Sequence, residues 1–300
     1  MAQIDVYQSI TDKIIHQLDR ADELGQWKCP WYQTQLGMMP RSAVGRYYKG
    51  VNVLVLWCEQ MDKNYLNPIW ATYRQWKSLN HQVRRGEHGT MICFWKSMDK
   101  YNHETGKDEK VLYARAYWVF NIQQLENWEK IPVSVTPTDH LTAQERLIEA
   151  EEWFKNIEAD VRHGGDRAFY SPTQDFIAVP KFEQFKGESE YYSTLAHEHI
   201  HWTGHKSRLD RELQTTRFGN EAYAFEELVA ELGAAFVCGA LDIDNEPRPD
   251  HAKYLNSWLT VLRQDKKAIF TAASKAQKAV EYLVAFQPGG VEEDEATEDC

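Results

Sequence analysis

The chain has 300 residues, 43% of them hydrophobic and 26% charged, with a formal net charge of −11. That is enough chain for two globular domains, and it contains no run of about eighteen apolar residues that could span a bilayer. The cysteines (Cys29, Cys58, Cys93, Cys238, Cys300) are odd in number and scattered, and never form a C-x-x-C pair. This excludes a disulfide framework and points to reduced thiols in a cytoplasmic protein, as does a start, Met1–Asp5, without the basic-then-apolar layout of a signal peptide.

Residues 4–24 carry Ile4, Tyr7, Ile10, Ile14 and Leu18 at helical spacing, and Gly25 ends the run. A turn-rich aromatic segment follows, with Trp27, Trp31 and Pro40. Val51–Met61 and Ile69–Leu79 read as short helices. Val83–Lys96 and Lys110–Asn121 alternate as strands, with 102–106 as the turn between them. Lys130–His140 holds two prolines and little periodicity, which sets a boundary between a first domain, 1–130, and a linker, 131–141. The second domain, 142–286, opens on a capping box, Thr142-x-x-Glu145, and a helix to about Asp160. Ala168–Pro180 reads as a hairpin, followed by a helix over 189–204, an Arg-containing loop, a helix around Glu227, and two amphipathic helices within Asp250–Phe286. Residues 287–300 form an acidic tail expected to be disordered. The fold class expected is α+β: an α/β first domain and a mostly helical second domain with a short hairpin or small sheet.

Charge divides unevenly between these halves. Residues 1–130 hold 17 Lys+Arg against 14 Asp+Glu (+3), whereas 131–300 hold 17 against 31 (−14). Eight of the 11 tryptophans also precede residue 130. Aromatic rings interleaved with cations suit a single nucleic-acid strand, because unpaired bases stack on rings while cations follow phosphates. The candidates are Trp27, Trp31, Tyr47 and Tyr48 as stacking residues, with Arg41, Arg46, Lys49, Arg74, Lys77, Arg84 and Arg85 as phosphate contacts. Trp57, Trp70 and Trp118 lie in apolar runs and are expected in the core. No recognition helix with polar base readers is evident, so a duplex is not the expected partner.

The second half contains His197-Glu198-x-x-His201. On a helix, residues four apart share a face, so two imidazoles can reach one metal ion, with Glu198 beside them as a carboxylate able to take a proton from water. Continuation to a third histidine fails, because position 207 is Ser207. A carboxylate from the later helix is the other route: Glu227 as third ligand, with Glu226 its rival by one register step, and Glu231 one turn on, placed to orient a histidine. Tyr223 and Arg208 are candidate donors to a developing oxyanion. The donor set suits Zn²⁺, Mn²⁺ or another divalent metal. It suits Mg²⁺ poorly, which argues against a nuclease.

Further motifs join these. The first half carries Trp31, Tyr48-x-Gly50-x-Asn52 with Val53–Trp57, and Trp76 through Val83-Arg84-Arg85-Gly86-Glu87-His88-Gly89. The second half carries Tyr170-Ser171-Pro172, His197–His205, Ser207-Arg208-Leu209 and Tyr223–Glu231. With this set the chain resembles the ArdC antirestriction family. The resemblance implies an N-terminal domain that binds single-stranded DNA and a C-terminal zincin-like metallopeptidase domain. It also implies plasmid carriage and protection of incoming DNA from restriction during conjugation. A host restriction component or another DNA-bound protein is the candidate substrate, and no membrane partner is expected. The alternative is a non-enzymatic single-strand coat whose metal site is structural.

Overall fold

The computed structural model describes residues 5–23, 31, 39–102, 107–132, 143–211, 221–243 and 251–289. Trp27, Cys29, Arg217, Cys300, most of the 131–141 linker and nearly all of the acidic tail lie outside these residues. The described fold is α+β in two parts.

The first part opens with helix α1 (Val6–Glu23), whose Ile10, Ile14 and Leu18 form one buried stripe at i, i+4, i+8. Strand β1 (Arg41–Ser42) is followed by helix α2 (Val51–Lys63), which is apolar nearly all round and buried along most of its length. The helix expected over Ile69–Leu79 is instead strand β2 (Ile69–Thr72) followed by helix α3 (Tyr73–Ser78). Thr72 divides them: its side chain accepts from the Gln75 amide while Gln75 caps back onto the Thr72 amide. This reciprocal cap lets a helix start directly from a strand. Strands β3 (Thr90–Asn102) and β4 (Lys107–Asn121) form a long antiparallel ribbon, its turn outside the described residues. β3 begins at Thr90, later than expected, and Val83 makes an isolated bridge to Leu125. The sheet runs β1-β2-β4-β3, with β1 parallel to β2 and the other pairs antiparallel.

Helix α4 (Ala143–Lys155) opens the second part and stops short of 160, because strand β5 (Asp160–His163) takes that segment. The expected hairpin is present as β6 (Phe169–Ser171) and β7 (Phe176–Val179), in a sheet ordered β5-β7-β6. The long helices α5 (Glu188–Thr203), α6 (Glu221–Ala240), α7 (His251–Gln264) and α8 (Ala268–Val284) follow. α6 lies against α5, α7 and α8 and is the centre of this part.

One apolar cluster runs from Ile10 and Leu54 through Leu195 and Leu228 to Leu283, so the two parts share a core. α1 packs on α2 and α7, and α2 on α8. Polar contacts reinforce the joint: Thr11 Oγ1 donates to the Lys266 carbonyl at 2.8 Å and the Gly50 amide donates to Gln277 at 3.2 Å. Cys58, Cys93 and Cys238 are buried and in no disulfide, and burial pushes the first two thiols up to about 12, which keeps them protonated and inert.

Candidate metal centre and nucleic-acid surface

Helix α5 is buried from Tyr191 to Ile200, an unusual environment for a segment with two histidines and a glutamate. Its partner α6 can approach closely because Gly233 faces Ile200: a Cβ at 233 would lie 2.7 Å from Ile200 Cγ1 and Cδ1. That close crossing brings the first turns of α6 alongside His197 and His201.

The Nε2 atoms of His197 and His201 stand 3.0 Å apart. Glu227 completes a triangle, one carboxylate oxygen 3.4 Å from His201 Nε2 and the other 3.6 Å from His197 Nε2. The three side chains form a group whose donor atoms all lie within 4.8 Å of one another. Register on α6 turns the two adjacent carboxylates to different nitrogens. Glu226 turns to the far nitrogen of His201, with Oε1 3.4 Å from Nδ1, and is held by Arg211 at 2.8 Å. Glu231, a turn beyond Glu227, lies 3.4 Å from His197 Nδ1. Each imidazole thus has a carboxylate behind it and Glu227 in front.

Electrostatics follow from this packing. Burial alone would keep His201 neutral, but Glu226 and Glu227 prevail and raise it to about 10. Burial works against ionisation of Glu227 too, yet the two imidazoles hold its carboxyl well below the usual range. His199 points to the other side of α5, where burial lowers it to about 4 and its Nδ1 lies 2.7 Å from the Leu195 carbonyl oxygen. It packs on Phe154 as a neutral ring of the core.

Tyr223 sits one turn before Glu227 on α6. Burial, the Glu227 charge and a hydrogen bond with Tyr254 push its hydroxyl far up, so it stays a proton donor. Arg208, the other expected oxyanion donor, is committed elsewhere. Its Nε donates to the Trp202 carbonyl at 2.6 Å, its terminal nitrogens bind Asp175 and the Tyr170 hydroxyl, and its plane lies 4.0 Å over the Trp202 ring. With those donors taken it ties the end of α5 to the β6–β7 hairpin. Arg211, which sequence reasoning did not single out, is a second such tie: besides Glu226 it reaches Thr203 Oγ1 and the Ile200 carbonyl at 2.7 and 2.5 Å. Spacing could not flag it, since the partnership spans the α5–α6 connection.

Among the described residues, the candidate nucleic-acid contacts do not come together as one surface. Trp31, Tyr48 and Arg41 are buried, at 3%, 8% and 7% exposure, and cannot receive a base or a phosphate as placed. Tyr47, Arg46, Lys49, Arg74, Lys77, Arg84 and Arg85 are exposed, but Lys49 pairs with Glu281, and Arg84 with Glu87 and the Leu125 carbonyl. Trp57 and Trp70 are in the core as expected, whereas Trp118 is 45% exposed because its side of β4 is only partly covered.

Two imidazoles one helical turn apart, with a glutamate from the following helix beside them, define a zincin-like metal-site domain. Residues 148–275 match the zincin-like metallopeptidase family, and residues 4–120 match the N-terminal domain of anti-restriction factor ArdC. The crystal structure of the antirestriction ArdC protein from the R388 plasmid is 36% identical, covering 94% of this chain and 98% of that one. The TM-score is 0.76 for its metal-free form and 0.75 for its Mn(II)-bound form. The y4eC protein of Sinorhizobium fredii (strain NBRC 101917 / NGR234) is 38% identical over 94% of this chain and 92% of its own length. Two DNA primases TraC of Escherichia coli are each 35% identical over 96% of this chain, which spans 28% and 20% of their lengths. The chain belongs to the ArdC antirestriction family.

Proposed function

We propose that this protein binds single-stranded DNA through its first half and holds a divalent metal through His197, His201 and Glu227, protecting incoming plasmid DNA by metal-dependent peptide hydrolysis. The observation that carries the reading is the close grouping of the two Nε2 atoms, 3.0 Å apart, with the Glu227 carboxylate, whose Oε1 lies 3.4 Å from His201 Nε2 and whose Oε2 lies 3.6 Å from His197 Nε2. Ligand atoms about 2.0–2.1 Å from one ion in a tetrahedral set are about 3.3 Å apart, so the donors have the mutual spacing that one ion requires. Two imidazoles and a carboxylate suit Zn²⁺ or Mn²⁺, and the Mn(II)-bound relative favours a divalent ion here as well. Such an ion would supply Lewis acidity at a scissile carbonyl and lower the pKa of water.

The remaining chemistry falls to the chain's own groups. Glu198 is 3% exposed and follows His197 directly, so a carboxylate in a dry pocket is available to take a proton from water. Tyr223, held protonated, can donate to oxygen as negative charge develops on it. Glu231 and Glu226 fix the two rings from behind, which sets which nitrogen faces forward. The substrate class proposed is a protein bound to DNA, such as a restriction component, since a strand-holding half beside a hydrolytic half raises the local concentration of such a target.

Transfer of an unmodified plasmid into a restricting host, scored for the wild type and Glu198→Ala, tests this. Loss of protection with metal content and DNA binding unchanged is the expected result. Full protection by Glu198→Ala would discard hydrolysis and leave a strand coat with a structural metal.

A further inference from the structure

Resting on the single-strand reading above, we propose that the strand lies on one face of the β3–β4 ribbon, with Phe94, Tyr113 and Tyr117 as the stacking rings and Lys96 and Arg115 as phosphate contacts. Register and alternation define the face. Cα partners in β3 and β4 share a side, so Thr90/Val119, Ile92/Tyr117, Phe94/Arg115 and Lys96/Tyr113 all project together. The opposite side is partly covered by helices: Trp95, itself 47% exposed, packs on Tyr7 of α1 at 5.8 Å and on Phe270 of α8 at 6.5 Å.

Along the proposed face the environment changes. Thr90, Ile92 and Val119 are buried, whereas Phe94 and Tyr113 are 36% and 39% exposed and Arg115 is exposed. Phe94 stands edge-on to Tyr117 at 5.4 Å, and the Arg115 guanidinium lies 5.3 Å over the Tyr117 ring. These eight positions carry two cations and no carboxylate, in a chain with a net charge of −11. Rings open to water, with cations among them and no acid, fit an occupant that is flat and apolar in its bases and anionic along its backbone.

The outer edge of the ribbon distinguishes this occupant from an added peptide strand. Asn52 of α2 takes both backbone groups of Cys93, donating to its carbonyl at 2.7 Å and accepting from its amide at 2.9 Å. The β3 edge is therefore capped beside the exposed rings, and a strand-adding peptide lacks its ladder there. The same bonds pin the base of the ribbon, so the rings are presented on a fixed frame.

Binding of the full-length protein to a fluorescein-labelled oligothymidylate, by anisotropy across a salt series, tests the assignment. Phe94→Ala and Tyr113→Ala should each weaken binding by roughly five- to a hundredfold, the range that losing a base stack gives, while Phe94→Trp keeps it. Arg115→Ala should flatten the slope of log K against log salt by about 0.7. In the wild type, photocrosslinking to an oligonucleotide carrying 5-iododeoxyuridine should mark peptides containing residues 94–96 and 113–117, a readout that does not depend on any variant folding. Wild-type binding with crosslinks confined to the loop around Tyr47, and folded alanine variants binding as tightly as the wild type, would overturn the face while leaving the single-strand reading intact. No binding by the wild type would remove that reading and the face with it.

Discussion

The metal centre and the ribbon face are opposite solutions to placing polar chemistry on a scaffold. At the centre, His197, Glu198, Glu226, Glu227 and Glu231 are nearly dry, and each ring is held between carboxylates from a rigid neighbouring helix. Low dielectric and fixed geometry make each group matter separately, and removing one leaves its partner uncompensated. On the ribbon, Phe94, Tyr113 and Arg115 face water, where each contact is modest and screened by salt. Buried sites therefore give few, large responses to mutation, and open faces give many small ones.

The sharpest way to break that contrast is to remove a side chain proposed to hold the metal. Glu227→Ala or His197→Ala should lower Mn²⁺ or Zn²⁺ affinity more than about a hundredfold by titration calorimetry, whereas Glu231→Ala, which acts through His197, should cost roughly 10- to 100-fold. Equal, small losses would mean that these side chains do not hold the ion together. Next in size is Arg211→Ala, which strips the buried partner from Glu226. Loss of one member of a buried pair costs about 3–5 kcal/mol in denaturant unfolding, with both side chains under 10% exposed here.

A subtler probe is Gly233→Ala. Helix propensity alone favours alanine by about 1 kcal/mol, but the new Cβ would meet Ile200 at 2.7 Å. Ile200 is stiff at χ1, so overpacking of about 1–3 kcal/mol should dominate. The expected result is a lower Tm and weaker metal binding, both relieved by adding Ile200→Ala. Smallest is an acid effect at the hairpin. Hydrogen bonding from Arg208 holds the Asp175 carboxyl below its ordinary value of 3.8. A depressed carboxyl stabilises the fold above that value and loses its contribution as pH falls below it. Asp175→Asn should thus flatten the drop in Tm between pH 5 and 3 (roughly the span about the ordinary carboxylate value) while leaving metal affinity at pH 7 unchanged.

Much of the second half was legible because its information is local. His197 and His201 lie four apart in a segment free of proline and glycine, and an α-helix converts that spacing into a shared face without help from the rest of the chain. The hairpin over 169–179 and the long helices follow from equally short-range patterns. The commitment of Arg208 to Asp175 and Trp202 was not legible, because the partners lie on different elements and an arginine beside a histidine motif reads equally well as a catalytic donor. In the first half, clustering of rings and cations was visible, but exposure was not. Trp31 and Tyr48 look like loop aromatics and are core, while Trp118 sits in an apolar run and faces solvent. Ile69–Leu79 was ambiguous for a related reason, since a four-residue strand and a six-residue helix joined by a cap blend into one apolar run.

By itself the sequence determined the two imidazoles on one helical face, the acidic helix that follows them, and the separation of a basic aromatic half from an acidic one. These depend on helix pitch and on composition, which need no distant contact. The tertiary structure alone decided that Glu227 closes the triangle while Glu226 serves Arg211, and that Phe94, Arg115 and Tyr117 share an open face. Such outcomes depend on how closely helices cross at Gly233 and on which side of a sheet the core lies, and packing between remote segments sets both.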